Sequence, residues 1–453
     1  MNGVRRVATL AMAISVILIA GCTPDPDITP TAQPSPPPQT LSPATLSPSP
    51  TETDRSVGPL VATPLTVAEG TDPGAANGQS LDIPQGWTAE IWANVPDARL
   101  ATWSPDGTLL VSSAAQGTVT AFTPTTPGKA PTAKIVVEGL DGPQGLGFAL
   151  NGKLLVVGES TEIVSFDYRD GVARNKVVLV GDLPTGGHGA KGIAINGDTV
   201  YYSLGSSGNR VPRDRDANPQ RATLWQVSVQ GQGNSLVATG VRNGMALAIA
   251  PDRTLFTAVN QMDNQPYPYD DGSGNYGKKV PEYINENPVD QVTRVTMGVE
   301  LGWPFCVPDP RESPGLLRVP YVNDPAFNPN GELLDCGSLP STMLGLPAHS
   351  APLGLSFTAN TGLESVIGSG ALITTHGSWN REAPRAPGVA FSPWDNARNT
   401  LGATVPLVGG FQSDAGDRWG RCVDALVGPD GSLYVTDDAA GLVYRITPPS
   451  STT

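Results

Sequence analysis

The chain has 453 residues and a net charge of −14; only 15% of its residues are charged, and 52 Gly with 45 Pro make up about a fifth of it. So many helix breakers exclude a mainly helical protein, because Pro lacks the helical donor and Gly loses the most backbone entropy on ordering. The acidic balance argues against nucleic-acid binding, and three His with four Cys exclude a Cys-rich zinc scaffold or a dense disulfide framework.

Residues 1–21 read as an export signal. Arg5 and Arg6 precede an apolar run, Val7 to Ala20, that is too short to favour a membrane span. The run ends in Leu18-Ile19-Ala20-Gly21-Cys22, which resembles a bacterial lipobox. That resemblance implies lipidation of Cys22 and anchoring on the outer side of a cell membrane. Residues 22–80 are expected to form a disordered tether, because Pro, Ser and Thr dominate as far as about Leu65 and little apolar surface is available to offset ordering entropy. Residues 81–448 are expected to fold, and 449–453 to be a disordered tail.

The folded part repeats. A short apolar strand, a turn such as Pro-Asp-Gly or Asn-Gly, and a second apolar strand recur from Leu100, Gln144, Lys191, Met245, Leu353 and Val423. Such turns between alternating apolar runs are strong hairpin signals. Six copies, most of them about 45–55 residues apart, predict an all-β, six-bladed β-propeller. The longer gap after the fourth copy predicts an insertion in that blade. The segment from Leu81 is expected to complete the last blade, whose strand from Gly441 has no partner in its own hairpin. In such a ring, polar residues just before or after the repeat strands converge on one end of the central channel.

Motifs occupy those places. Thr185-Gly-Gly-His188 leads into the third repeat and Arg242-Asn243-Gly244 into the fourth; Asn260-Gln261-Met262-Asp263 follows the fourth. Gly302-Trp-Pro-Phe-Cys306 closes its insertion, His376-Gly-Ser-Trp-Asn380-Arg381 follows the fifth repeat, and Gly420-Arg421 precedes the sixth. In this order they resemble the glucose/sorbosone dehydrogenase family of quinoproteins, over about Leu81 to Ile446. The resemblance implies pyrroloquinoline quinone (PQQ) and calcium as cofactors and oxidation of a sugar, polyol or sugar aldehyde, with electrons passing to a respiratory acceptor.

Residue by residue, the resemblance implies His188 as general base, a task suited to an imidazole titrating near neutrality. It implies Arg242 and Asn243 as contacts to the quinone oxygens, where a guanidinium stabilises developing negative charge. It places Arg421, Asn380, Arg381 and Lys191 at further cofactor positions. For calcium it implies the backbone carbonyls of Gln261 and Met262, side-chain oxygens of Asn260 or Asp263, and Asp290 as a second acidic position. Three departures stand out: Lys191 where the family commonly has Arg, a calcium loop poorer in acid and Gly, and Gln291 in place of a carboxylate.

Cys306 and Cys336 bracket a loop in an exported domain and are expected to pair, which leaves Cys422 buried and free. The Tyr-, Asn- and Gly-rich stretch 265–288 has no helical period; it is a lid or substrate-selecting loop, or a disordered excursion. A non-catalytic propeller lipoprotein that binds carbohydrate or a protein partner is the alternative to an enzyme. A metal-dependent lactonase ranks last, because no repeated acidic set faces the channel.

Overall fold

The computed structural model describes residues 57–378 and 380–449. The export signal, Cys22 and the tether up to residue 56 lie outside these residues. Six antiparallel sheets follow one another along the chain and form the six-bladed propeller expected from the repeats.

The repeat hairpins supply the first two strands of each blade. Blade 1 opens with Ala98–Trp103 and Leu109–Ser113, blade 2 with Leu146–Ala149 and Leu154–Gly158, and blade 3 with Ile193–Asn196 and Thr199–Leu204. Blade 4 opens with Ala246–Ile249 and Leu255–Val259, blade 5 with Pro352–Phe357 and Gly370–Thr375, and blade 6 with Cys422–Val427 and Leu433–Asp437. Two further strands complete each blade. The ring closes where Thr88–Asn94, near the start of the folded chain, pairs antiparallel with Leu442–Thr447 near its end. This hydrogen-bonds the two ends of the domain to each other and removes a sheet edge.

The folded part begins earlier than the sequence suggests. Leu60–Pro64 pairs with Ser80–Pro84, and Thr66–Val67 runs parallel to Glu90–Ile91 at the rim of blade 6. Thr63 and Leu65, within the Pro/Thr-rich stretch, therefore belong to the domain. The β-branched residues of this short run find ladder partners, which composition alone does not reveal.

Six apolar clusters hold the ring, one between each pair of neighbouring blades. Between blades 6 and 1, for example, Trp92, Leu109, Val111, Phe122 and Tyr434 pack together, and Phe256 meets Trp394 and Phe357 edge-on between blades 4 and 5. Each fully buried large side chain contributes about 1.5–3 kcal/mol. Leu100, Met245, Leu353 and Val423, at the starts of four innermost strands, meet across the channel.

Blade 4 carries two excursions. Residues 260–289 separate its second and third strands and contain the helix Pro281–Glu286; residues 296–341 separate its third and fourth. Cys306 and Cys336 are disulfide-bonded in the second excursion, with Cα atoms 5.5 Å apart. Cys422 is buried and free. Among the described residues no helix is long and apolar enough to cross a membrane.

Candidate active site

The loops that enter first strands and leave second strands gather at one end of the channel. There His188, Arg242, Asn260, Asp263, His349, Ala351, Gly377 and Ser378 line a polar cavity supplied by blades 3, 4 and 5. The cavity volume is about 100 Å³.

His188 is placed by its backbone and its hydroxyl partner. Gly187, at φ +58°, turns the chain, and a Cβ there would collide with the Ser207 backbone. Arg221, itself buried, donates to the carbonyls of Thr185, Gly186, Gly205 and Ser206 and so fixes both sides of the turn. His188 Nδ1 lies 2.8 Å from Ser206 Oγ. The Ser206 hydroxyl proton is directed to the Gly208 carbonyl, 2.7 Å away, so Oγ accepts from Nδ1–H and the Nε2 lone pair is left free. Burial, followed by the positive field of Arg242, pushes the imidazole down to about 4. At neutral pH it is the unprotonated base.

Arg242 is nearly fully buried and sits on a frame of carbonyl groups. It donates to Asn209 O at 3.1 Å, Asn209 Oδ1 at 3.0 Å and Asn260 O at 3.0 Å. Three of its five N–H groups are thereby spent and two remain. Asn209 also accepts from the Asp263 amide and donates to its carbonyl, which fastens the 260–263 loop to blade 3. Asn243 is buried beside Arg242, and its carbonyl accepts from the Asn260 amide.

His349 is the residue of this pocket that the motifs missed. Its Nδ1 lies 3.2 Å from Asp263 Oδ1 and its Nε2 2.7 Å from the Ile284 carbonyl. Both ring nitrogens therefore face acceptors. Burial pulls its pKa down, but the bonds to Asp263 and Ile284 outweigh that and leave it above the ordinary value. A histidine just before a repeat strand, as in Ala348-His349-Ser350-Ala351, was the available signal, since His188 and Arg242 hold equivalent places.

Three residues assigned to cofactor or metal contacts do other work. Asp290 accepts the Gln261 amide on Oδ1 and the Ala351 amide on Oδ2, and so clamps two pocket loops together. Burial pushes it up to about 6. Arg381 turns away from the pocket to the Asn285 carbonyl and the Glu286 carboxylate, pinning the helix Pro281–Glu286. Lys191 is wholly buried and donates to the Gly189 carbonyl; burial, then Arg221, brings it down to about 8.

A second cluster lies nearer blades 6, 1 and 2. Arg99 and His376 both bind Asp438, His376 Nε2 at 2.9 Å and Arg99 at 2.5 Å, while Arg99 Nε donates to Gln144. Arg421 donates to the carbonyls of His376 and Gly377, so this cluster joins the pocket through the 376–378 segment.

For an anionic quinone, Arg242 offers two unspent N–H groups in the pocket; outside its lining, Arg421 has further N–H groups behind the 376–378 segment and the Asn380 amide nitrogen is buried without a hydrogen-bond partner. For calcium, the carbonyls of Gln261 and Met262 accept no hydrogen bond among the described residues, and Asp263 follows them. The Met262 side chain packs against Ala222, Trp303 and Val307, so only its backbone could serve. Among the described residues no three His, Cys, Asp or Glu side chains cluster as metal ligands; carbonyl oxygens, which calcium accepts, are what this loop offers.

Known proteins share this fold. The TrAA12-like family profile matches residues 81–449. An uncharacterized protein of Borreliella burgdorferi is 23% identical over 385 residues, which span 81% of this chain and 90% of that one. Among solved structures, the PQQ domain of pyranose dehydrogenase from Coprinopsis cinerea in its holo form superposes with a TM-score of 0.70 at 19% identity, over 84% of this chain and all of that domain. A calcium structure of a family AA12 carbohydrate-active enzyme from Trichoderma reesei superposes with a TM-score of 0.67 at 16% identity, over 81% of this chain and 96% of the other. These likenesses concern the fold, and the profile match fixes the family: the chain belongs to the TrAA12-like family, in keeping with the resemblance to quinoprotein sugar dehydrogenases carried by its six ordered motifs.

Proposed function

We infer that the protein is a PQQ- and calcium-dependent oxidoreductase that oxidises a hydroxyl-bearing carbon of a sugar, polyol or sugar aldehyde. The observation that carries this reading is the free Nε2 lone pair of His188 beside the two unspent N–H groups of Arg242 in one cavity. The names of the solved relatives, sugar dehydrogenases among them, support it.

The chain's own groups account for the proton and the charge. His188 Nε2 takes the hydroxyl proton of the carbon being oxidised, and Ser206 keeps the ring oriented while it becomes charged. Arg242, held on Asn209 and Asn260, offers fixed donors where negative charge develops, at no reorganisation cost. Arg421 and Asn380 would add contacts to the quinone, and the carbonyls of Gln261 and Met262 would hold calcium. The bound quinone supplies the two-electron acceptor that no side chain provides. The lipobox and Pro-rich stretch add a tether at Cys22 on the outer side of a bacterial membrane, within reach of a respiratory electron acceptor.

The test is to add PQQ and calcium to the purified protein and follow dye reduction over aldoses, polyols and sorbosone-like aldehydes. Reduction that depends on both additions is expected. Absence of both cofactor binding and reduction overturns the reading and leaves a binding module.

A further inference from the structure

The first excursion of blade 4 builds a second cleft beside the catalytic pocket. Tyr267, Tyr269 and Tyr283 meet edge to face, with ring centres 5.0, 5.2 and 6.1 Å apart. With Asn287, Asp309 and Arg311 they line a cleft of about 370 Å³. The three rings are only half-buried. Two of the polar tips are held by carboxylates, Tyr269 Oη on Asp309 at 2.8 Å and Tyr267 Oη on Asp271 at 2.7 Å. The Arg311 guanidinium lies over the Tyr269 ring, 2.9 Å from its centre, so the aromatic contact area comes from the half-buried rings of Tyr267 and Tyr283, beside the carboxylate of Asp309 and the amide of Asn287. Such pairing suits a ligand with an apolar face and a hydroxylated edge, and a pyranose ring is one.

This cleft shares a wall with the pocket. The helix Pro281–Glu286 turns Tyr283 into the cleft, while its next residue, Ile284, gives its carbonyl to His349, which lines the pocket. Arg381 pins the same helix through Asn285 and Glu286. The two sites thus flank one short helix, Tyr283 serving one and Ile284 the other.

We propose that the Tyr267–Tyr269–Tyr283 cleft is a subsite for an uncharged sugar unit, so that the ligand of this protein is an oligosaccharide whose next unit meets His188. The proposal rests on the sugar-oxidising reading only for what happens at His188. Its test is calorimetric titration of the full chain, without added cofactor, with malto- and cello-oligosaccharides from monosaccharide to pentasaccharide. Affinity is expected to rise about tenfold with chain length for at least one series. Tyr267→Ala removes that rise and Tyr267→Phe retains it. Tyr267→Leu keeps apolar bulk without the ring face, and serves if the Ala variant fails to fold. In the cofactor-loaded protein, Tyr267→Ala raises KM for the longer sugar and leaves monosaccharide turnover unchanged. Affinity independent of chain length, or equal loss of monosaccharide and oligosaccharide turnover in Tyr267→Ala, overturns the subsite. Length-dependent binding with no dye reduction on any sugar upholds the subsite while the oxidoreductase reading fails.

Discussion

Two clusters at the same end of the channel use the same residue types to different ends. His188 sits with Arg242 and a serine hydroxyl, whereas His376 sits with Asp438 between Arg99 and Arg421. Burial lowers both imidazoles. His376, however, commits Nε2 to a carboxylate that neutralises its neighbours, while His188 commits only Nδ1 and keeps Nε2 for a ligand. A histidine beside an arginine is therefore committed to an ion cluster or left with a free ring nitrogen according to where one hydrogen bond goes.

The largest expected effect separates the two histidines. His188→Ala lowers kcat by about 10²–10⁴-fold, the ordinary worth of a general base, in the cofactor-loaded dye-reduction assay; His376→Gln changes it by only a few-fold. Comparable losses at both would erase the distinction. Asp438→Asn acts on the other cluster: it leaves Arg99 and Arg421 facing each other without the acid, and equilibrium unfolding is expected to show a loss of about 3 kcal/mol. Asp438 itself titrates below its usual range because His376, Arg99 and Arg421 outweigh its burial.

The pH dependence sharpens the contrast. The His188 imidazole titrates near 4 in the fold against an ordinary 6.5, so the unfolded chain binds that proton more tightly. Its contribution to stability is complete above pH 6.5 and is lost as the pH falls towards 4, on the order of 3 kcal/mol. His188→Gln should flatten that part of the stability–pH curve, measured by denaturant unfolding at a series of pH values. An unchanged curve would mean that the ring is not held neutral as its burial implies.

Smaller effects concern the supports. Arg221→Met keeps bulk but frees four carbonyls, and a loss of about 2 kcal/mol is expected together with a fall in turnover, because the His188 turn loosens. Reduction of Cys306–Cys336, which closes a loop of sequence separation 30 in the second excursion of blade 4, should cost about 3–4 kcal/mol and leave kcat within a few-fold. A large loss of turnover on reduction would tie that excursion to the pocket directly.

The hairpins were legible because their signal is local. Pro105-Asp106-Gly107 and Asn151-Gly152 sit between apolar runs, and turn chemistry with alternation specifies a strand pair without help from the rest of the chain. The repeat period places the loops of His188, Arg242, Asn260 and Asp263 at one end of the ring, and the resemblance of their motifs to the quinoprotein sugar dehydrogenases singled these residues out. Tertiary structure decided what each polar side chain does with its hydrogen bonds. Asp290 and Arg381 carry the right charge in the right loops, yet one clamps backbone amides and the other a helix. His349 has no motif around it, and only the folding of the first excursion against blade 5 brings Ile284 and Asp263 to its two nitrogens. The order of strands and the end of the ring that bears function thus follow from local pattern and period, because both depend on neighbours in sequence. Which groups remain unsatisfied and available for chemistry depends on partners up to 339 residues away, as between Arg99 and Asp438, and that is fixed only when the ring closes.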